Sequence, residues 1–301
     1  IYMLKFLLVK IQRQYDGEVM KYKAIALDLD GTLTDHNKKL PAKNIEAVDK
    51  AIDMGVKVIL ASGRPLFGIT PIADELKLPD KGGYILAYNG GKIVDCVTGE
   101  TIVSHQLPKE CIDDICDFAK DNDVYALTYS DGKIVSESDT DEYVLKEAFC
   151  NAAAIIKTDN LKAYVNYPVS KFLVVGKHEK LIPVQEALLS KYHGVIDAFY
   201  SEDYFLEVVP YGVAKDNSLK ELLAKLDITE AELIACGDGM NDIPMLKIAG
   251  LSAVMENAYP EVKKYADYIA PSNDDAGVAD IIKRYISVSY THLRAHETLM
   301  N

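Results

Sequence analysis

The chain has 301 residues, 49% of them apolar, with 46 acidic against 33 basic side chains and a formal net charge of −13. That length gives one large domain or two ordinary ones with a core that needs no staples, and the acidic balance argues against a sequence-independent grip on nucleic acid or an anionic membrane. No apolar run approaches the roughly 18–20 residues of a membrane span. The five cysteines, Cys96, Cys111, Cys116, Cys150 and Cys236, are odd in number and never spaced C-x-x-C, which fits reduced thiols of a cytoplasmic protein.

Met20-Lys-Tyr-Lys-Ala-Ile-Ala-Leu reads as a natural start, so residues 1–19 are either translated upstream sequence or an authentic extension. Phe6 to Val9 is too short for the apolar core of a signal peptide. Ala24 to Leu27 is a short apolar run ending in acidic and glycine residues, as a buried parallel strand does. Pro41 opens a helical pattern with Ile45, Val48 and Ile52 on one face and Gly55 as its stop. Val56 to Ala61 is the next strand, which completes a βαβ unit. Ile85 to Ala87 is a third strand, and Gly91 to Leu107 alternates around Thr98-Gly99 like a hairpin.

After Pro108 the pattern changes. A helical stretch carrying Ile112, Ile115, Phe118 and Ala119 is followed by short tyrosine-bearing strands, a helix over Lys180 to Tyr192 and a strand over Tyr204 to Val209. This reads as an inserted α+β module. From Lys215 the α/β alternation resumes: a helix lined by Leu219, Leu222, Leu223 and Leu226, a strand over Leu233 to Cys236, a helix over Asn241 to Ala249, and two further steps ending near Ile286. The expected architecture is a three-layer, doubly wound, mainly parallel α/β core (20–107 plus 208–287) interrupted by an α+β cap (108–207). The tail 288–301 is set apart, because Val288 to Thr298 resembles one reading frame of a sequencing-library adapter; His292 and His296 go with it.

Ligands of open α/β sheets bind beyond the carboxyl ends of the strands, and four chemically loaded segments sit at such ends. Asp28-Leu-Asp-Gly-Thr-Leu33 follows the first strand; in extended chain Asp28 and Asp30 point the same way, and a Mg²⁺ ion relieves their repulsion while attracting phosphate. Ser62-Gly-Arg-Pro65 offers a hydroxyl and backbone N–H groups to an anion, although Ser-Gly turns are common. Lys215 can neutralise phosphate at a helix entrance, although most lysines are merely solvated. Gly237-Asp-Gly-Met-Asn-Asp242 pairs two glycines with Asp238, Asn241 and Asp242, more than an ordinary helix cap needs.

These four segments resemble motifs I to IV of the haloacid dehalogenase-like hydrolases. The place of the insertion, Tyr88-Asn-Gly-Gly91 and Glu256-Asn-Ala258 resemble their Cof-type, class IIB branch. The resemblance implies that Asp28 is a nucleophile forming an aspartyl-phosphate and Asp30 the general acid, then base. It implies Mg²⁺ held by Asp28, the Asp30 carbonyl and Asp238 with support from Asp242. It also implies that Ser62, Lys215, Asn241 and the Leu29 and Gly63 backbone hold the phosphoryl oxygens. Arg64 and Asn89 are candidate substrate contacts. Asp216 stands where the family usually has glycine, which leaves the local turn open. Tyr125, Tyr129, Tyr143, Tyr164 and Tyr167 either line the cap's pocket or, as is commoner, pack on strand faces. The implied activity is a phosphatase of small phosphorylated metabolites, sugar phosphates or a phosphorylated cofactor, with no nucleic-acid or membrane partner and an oligomeric state the sequence does not give. A phosphomutase or phosphotransferase using the same intermediate and a non-catalytic phosphometabolite sensor are the alternatives.

Overall fold

The computed structural model describes residues 21–287. The expectations for residues 1–19, for Met20 as a start and for the tail 288–301 lie outside the described residues. Two compact units divide the described residues, one formed by 21–59 and 227–287, the other by Leu60–Leu226.

The first unit opens on β1 (Ala24–Leu27), whose four apolar residues are all buried. α1 (Ala42–Asp53) starts after Pro41, whose φ of −61° leads into the helix, and it buries Asn44, Val48 and Ala51. The buried face is therefore turned from the one the apolar pattern marks. Asn44 earns its place by hydrogen bonding: its Nδ2 donates to the Leu33 carbonyl at 2.9 Å, and its Oδ1 accepts from Ala279 N–H at 3.0 Å. β2 (Lys57–Ala61) carries the chain across the unit boundary.

The second unit begins with α2 (Leu66–Glu75), α3 (Leu78–Lys81) and β3 (Tyr84–Ala87). β4 (Lys92–Asp95) pairs antiparallel with β3 and with β5 (Thr101–Ser104), so the expected hairpin is present. α4 (Lys109–Asp121) leads into β6 (Tyr125–Ser130), β7 (Lys133–Ser136), α5 (Glu142–Cys150), β8 (Ile155–Lys157) and α6 (Leu161–Tyr164). β9 (Phe172–Val175), α7 (His178–Lys191), β10 (Ile196–Glu202) and β11 (Phe205–Pro210) follow. These six later strands form one sheet in the order β10-β11-β9-β6-β7-β8. Alternation along β9 sends Phe172 and Val174 to one face, where Ile112 and Ile115 of α4 and Leu181 of α7 pack. Leu173 and Val175 face the other side with Leu127, Tyr129 and Phe205. Tyr143 and Tyr164 lie on helices, not on the expected strands. α8 (Lys215–Lys225) closes the unit.

The chain then returns to the first unit with β12 (Leu233–Gly237), α9 (Ile243–Ile248), β13 (Leu251–Met255), α10 (Pro260–Lys263), β14 (Tyr268–Ala270) and α11 (Gly277–Ile282). The helix expected from Asn241 opens as a 3-10 turn, Met240–Asp242, and becomes α-helical only at Ile243. β14, β13, β12 and β1 are neighbours and all parallel, with Leu27 of β1 beside Cys236 of β12. The fold is α/β, with a parallel sheet and helices in the first unit and an α+β sheet in the second. Among the described residues no helix is long and apolar enough to cross a membrane.

Candidate active site

Parallel register decides what meets in the first unit. Since β1 and β12 end side by side, Asp28 and Asp238 leave adjacent strand ends. One carboxylate oxygen from each of Asp28, Asp238 and Asp242 lies within 4.8 Å of the others, and Asp28 and Asp242 are buried. Gly31 makes the approach possible. Its φ is +80°, and a Cβ there would stand 2.3 Å from Asp238 Oδ2. Gly237 serves proximity alone, because a Cβ would come 2.5 Å from that of Asp242.

A hydroxyl and backbone amides help to hold the acids in place. Thr32 Oγ1 donates to Asp238 Oδ1 at 2.7 Å, and Asp242 Oδ2 accepts from the N–H groups of Asp238 and Gly239 at 3.0 and 2.9 Å. Asn257 Nδ2 donates to the Gly31 carbonyl at 2.8 Å and its Oδ1 accepts from Asn273 N–H at 3.0 Å, which anchors the glycine turn from outside. Three convergent carboxylates fit a hard divalent cation with oxygen ligands.

Asp30 behaves differently from the extended-chain expectation. The chain turns at Leu29, whose carbonyl accepts from Thr32, Leu33 and Thr34 N–H, so the backbone after Asp28 is not extended. The Asp30 carboxylate is half-exposed and pairs with Lys38 Nζ at 2.5 Å, outside the group of three. Asn241 sits exposed in the 3-10 turn beside Asp242.

The second unit holds the remaining candidates. Ser62, Gly63 and Arg64 form a loop whose three carbonyls are all engaged. Asn89 N–H donates to the Ser62 carbonyl and Tyr88 N–H to the Arg64 carbonyl, both at 3.0 Å, and Lys171 Nζ donates to the Gly63 carbonyl at 3.2 Å. Arg64 N–H donates to Ser62 Oγ at 3.2 Å. Tyr88 and Asn89 supply their two N–H groups from consecutive left-handed conformations, φ +56° and +54°, uncommon for non-glycine residues and typical of functional loops. Burial pushes the Tyr88 phenol up to about 12. Arg64 Nη1 donates to the Gly68 carbonyl at 3.2 Å.

Lys215 is 1% exposed at the start of α8, and Ser218 Oγ ties that helix to the Gly90 carbonyl at 2.7 Å. Asp216 lies in regular helix, outside the residues with positive φ, so the position asks for no glycine. An acid in the first turn suits the helix dipole. Of the five tyrosines, Tyr129 and Tyr167 line a cavity of about 720 Å³ with Tyr88 and Lys171, while Tyr143 stacks on Tyr204. Tyr125 and Tyr164 are exposed.

Residue patterns alone miss Lys38, Lys171 and Glu207. Lys171 and Glu207 are both buried and pair at 3.0 Å. A signal for them exists: each charge interrupts or abuts an apolar strand, Lys171-Phe-Leu-Val-Val and Phe-Leu-Glu207-Val-Val. A buried charge in such a setting needs a partner.

A family model described as haloacid dehalogenase-like hydrolase matches residues 25–282. The chain is similar in structure to a haloacid dehalogenase-like hydrolase from Bacteroides thetaiotaomicron (TM-score 0.85, 45% identity, 88% of this chain and 99% of that one). It is 30% identical to the 5-amino-6-(5-phospho-D-ribitylamino)uracil phosphatase of Bacillus subtilis over 89% of this chain and 99% of the relative. The HMP-PP phosphatase of Yersinia pseudotuberculosis is 28% identical, with 88% and 96% covered.

Proposed function

The chain belongs to the haloacid dehalogenase-like hydrolases, in their Cof-type branch, and from that premise we propose a phosphatase of small phosphorylated metabolites that works through an aspartyl-phosphate on Asp28. The observation that carries the reading is the group Asp28, Asp238 and Asp242, converging within 4.8 Å at the ends of parallel strands. A carboxylate nucleophile among other carboxylates cannot meet a phosphate dianion without positive charge nearby. Mg²⁺ held by Asp28, the Asp30 carbonyl and Asp238, with Asp242 in support, supplies that charge when bound.

Asp28 Oδ attacks phosphorus while the bond to the ester oxygen breaks, and Asp30 delivers a proton to the departing alkoxide. Asp30 then takes a proton from water as the water oxygen attacks the same phosphorus, which frees Asp28 and inorganic phosphate. Ser62, Lys215, Asn241 and the Leu29 and Gly63 N–H groups take the three phosphoryl oxygens, the roles the family resemblance gives them. The relatives named for a ribitylaminouracil phosphate and for HMP-PP support substrates of metabolite size.

The test is a panel of sugar phosphates and phosphorylated heterocycles with added Mg²⁺, followed by release of inorganic phosphate. Asp28→Asn is expected to lower turnover by about a thousandfold or more. Turnover that survives this change overturns the reading, and so does an isomerised ester formed without inorganic phosphate.

A further inference from the structure

The two oxygens of one buried carboxylate reach two different holders of the Ser62-Gly63-Arg64 loop. Glu207 Oε1 pairs with Lys171 Nζ at 3.0 Å, and Glu207 Oε2 accepts from Asn89 Nδ2 at 3.4 Å. Lys171 in turn donates to the Gly63 carbonyl, and Asn89 donates its backbone N–H to the Ser62 carbonyl. A trans peptide is planar, so its C=O and N–H point in opposite directions. Fixing the Ser62 carbonyl on Asn89 turns the Gly63 N–H the other way, away from that bond. Fixing the Gly63 carbonyl on Lys171 turns the Arg64 N–H onto Ser62 Oγ, leaving that hydroxyl its own proton to donate. The third carbonyl, of Arg64, is held by Tyr88, and the following residue, Pro65, has no N–H to place.

We propose that Glu207 is a positioning residue for an anion-binding loop, acting through Lys171 on the Gly63 peptide and through Asn89 on the Ser62 peptide, so that the Gly63 N–H and the Ser62 hydroxyl are oriented before a phosphoryl group arrives. The inference rests on the reading above that this loop takes phosphoryl oxygens. β11 and the residue before β9 thereby contribute to phosphate binding without touching phosphate. Lys171 and Glu207 neutralise each other, so the arrangement adds direction to the loop and no net charge. A charge-assisted bond to a carbonyl is also the stiffer way to hold a peptide plane.

The experiment uses the full chain with Mg²⁺ and inorganic phosphate as the probe. The double variant Lys171→Met, Glu207→Met removes the pair while keeping side chains of similar length, an exchange that buried ion pairs often tolerate. Glu207→Gln is the milder second variant, which still folds if the double one does not. Calorimetric titration with phosphate is expected to show binding weakened about tenfold or more in the double variant, and kcat/KM for an active ester lowered about 10–100-fold. Glu207→Gln falls between the double variant and wild type. The Mg²⁺ concentration for half-activation stays at the wild-type value, which a merely unfolded or loosened protein would not show. A folded variant that binds phosphate as wild type does overturns the inference, as does a wild-type protein that binds no phosphate. Should the wild type bind phosphate yet hydrolyse no ester, the functional reading fails by itself and the titrations still decide the role of Glu207.

Discussion

Acidic side chains gather in both units of the molecule, and the two units treat them in opposite ways. Around Asp238 and Asp242 a hydroxyl and backbone amides are among the donors that fix position. Glu207 instead meets the lysine ammonium of Lys171, and Glu147 nearby accepts from the Tyr129 hydroxyl at 2.7 Å and Asn151 Nδ2 at 2.8 Å. The first pattern gathers three carboxylate oxygens within 4.8 Å of one another. The second answers its own charge and spends the remaining hydrogen bonds on geometry. The convergence of three acids in one unit, against the pairing of an acid with a lysine in the other, separates the two arrangements.

The largest effect is expected at Gly31. Gly31→Ala puts a Cβ where Asp238 Oδ2 stands and strains a residue at φ +80°. Mg²⁺-dependent turnover is expected to fall by about a hundredfold or more, since catalytic groups tolerate little displacement. Wild-type Mg²⁺ activation in this variant would mean that Asp238 is not where cation binding needs it. A smaller effect is expected from Thr32→Val, which keeps shape and removes the hydroxyl donor from Asp238. Half-activation should then need about tenfold more Mg²⁺, the usual cost of losing a neighbour that orients a ligand.

The smallest effect sharpens the other side of the comparison. Burial pushes the Glu147 carboxyl above the ordinary 4.5, against the opposing pull of Lys171 and the Tyr129 hydrogen bond. A raised carboxyl favours the folded state when protonated, so its contribution is full below pH 4.5 and is lost as pH rises through the raised value. Glu147→Gln has no such proton to lose. Melting curves from pH 4.5 to 8 should therefore show the variant gaining on the wild type as pH rises. A constant difference would mean that Glu147 carries no burial penalty.

Much of this was legible in the sequence because strand-end chemistry is local. Ala24 to Leu27 and Leu233 to Cys236 are apolar runs followed at once by acid and glycine, and the structure brings Asp28, Asp238 and Asp242 together as that pattern implies. The turn that carries Asp30 was not legible, since it depends on the N–H groups of Thr32, Leu33 and Thr34 reaching back to the Leu29 carbonyl. Nor was the burial of Asn44, whose acceptance from Ala279 spans 235 positions of sequence. Lys171 and Glu207 stand out as charges beside apolar strands. Their partnership, however, depends on how β9 and β11 are aligned, with Leu173 opposite Glu207, and register of that kind is set by tertiary packing.

The pairing of β1 with β12 also has a consequence for how the protein is made. Ala24 is opposite Leu233, so the strand that emerges early from the ribosome waits for a partner near the other end of the chain. The unit Leu60–Leu226 is continuous, and its six-stranded sheet is complete before β12 is made. Domains fold as units during synthesis, and distant pairings bear the loop-closure entropy last. The three carboxylates thus come together only after Asp242 has been translated, and nascent chains stalled before that point lack the complete group. Uptake of a divalent ion during synthesis would time the moment when the first unit closes.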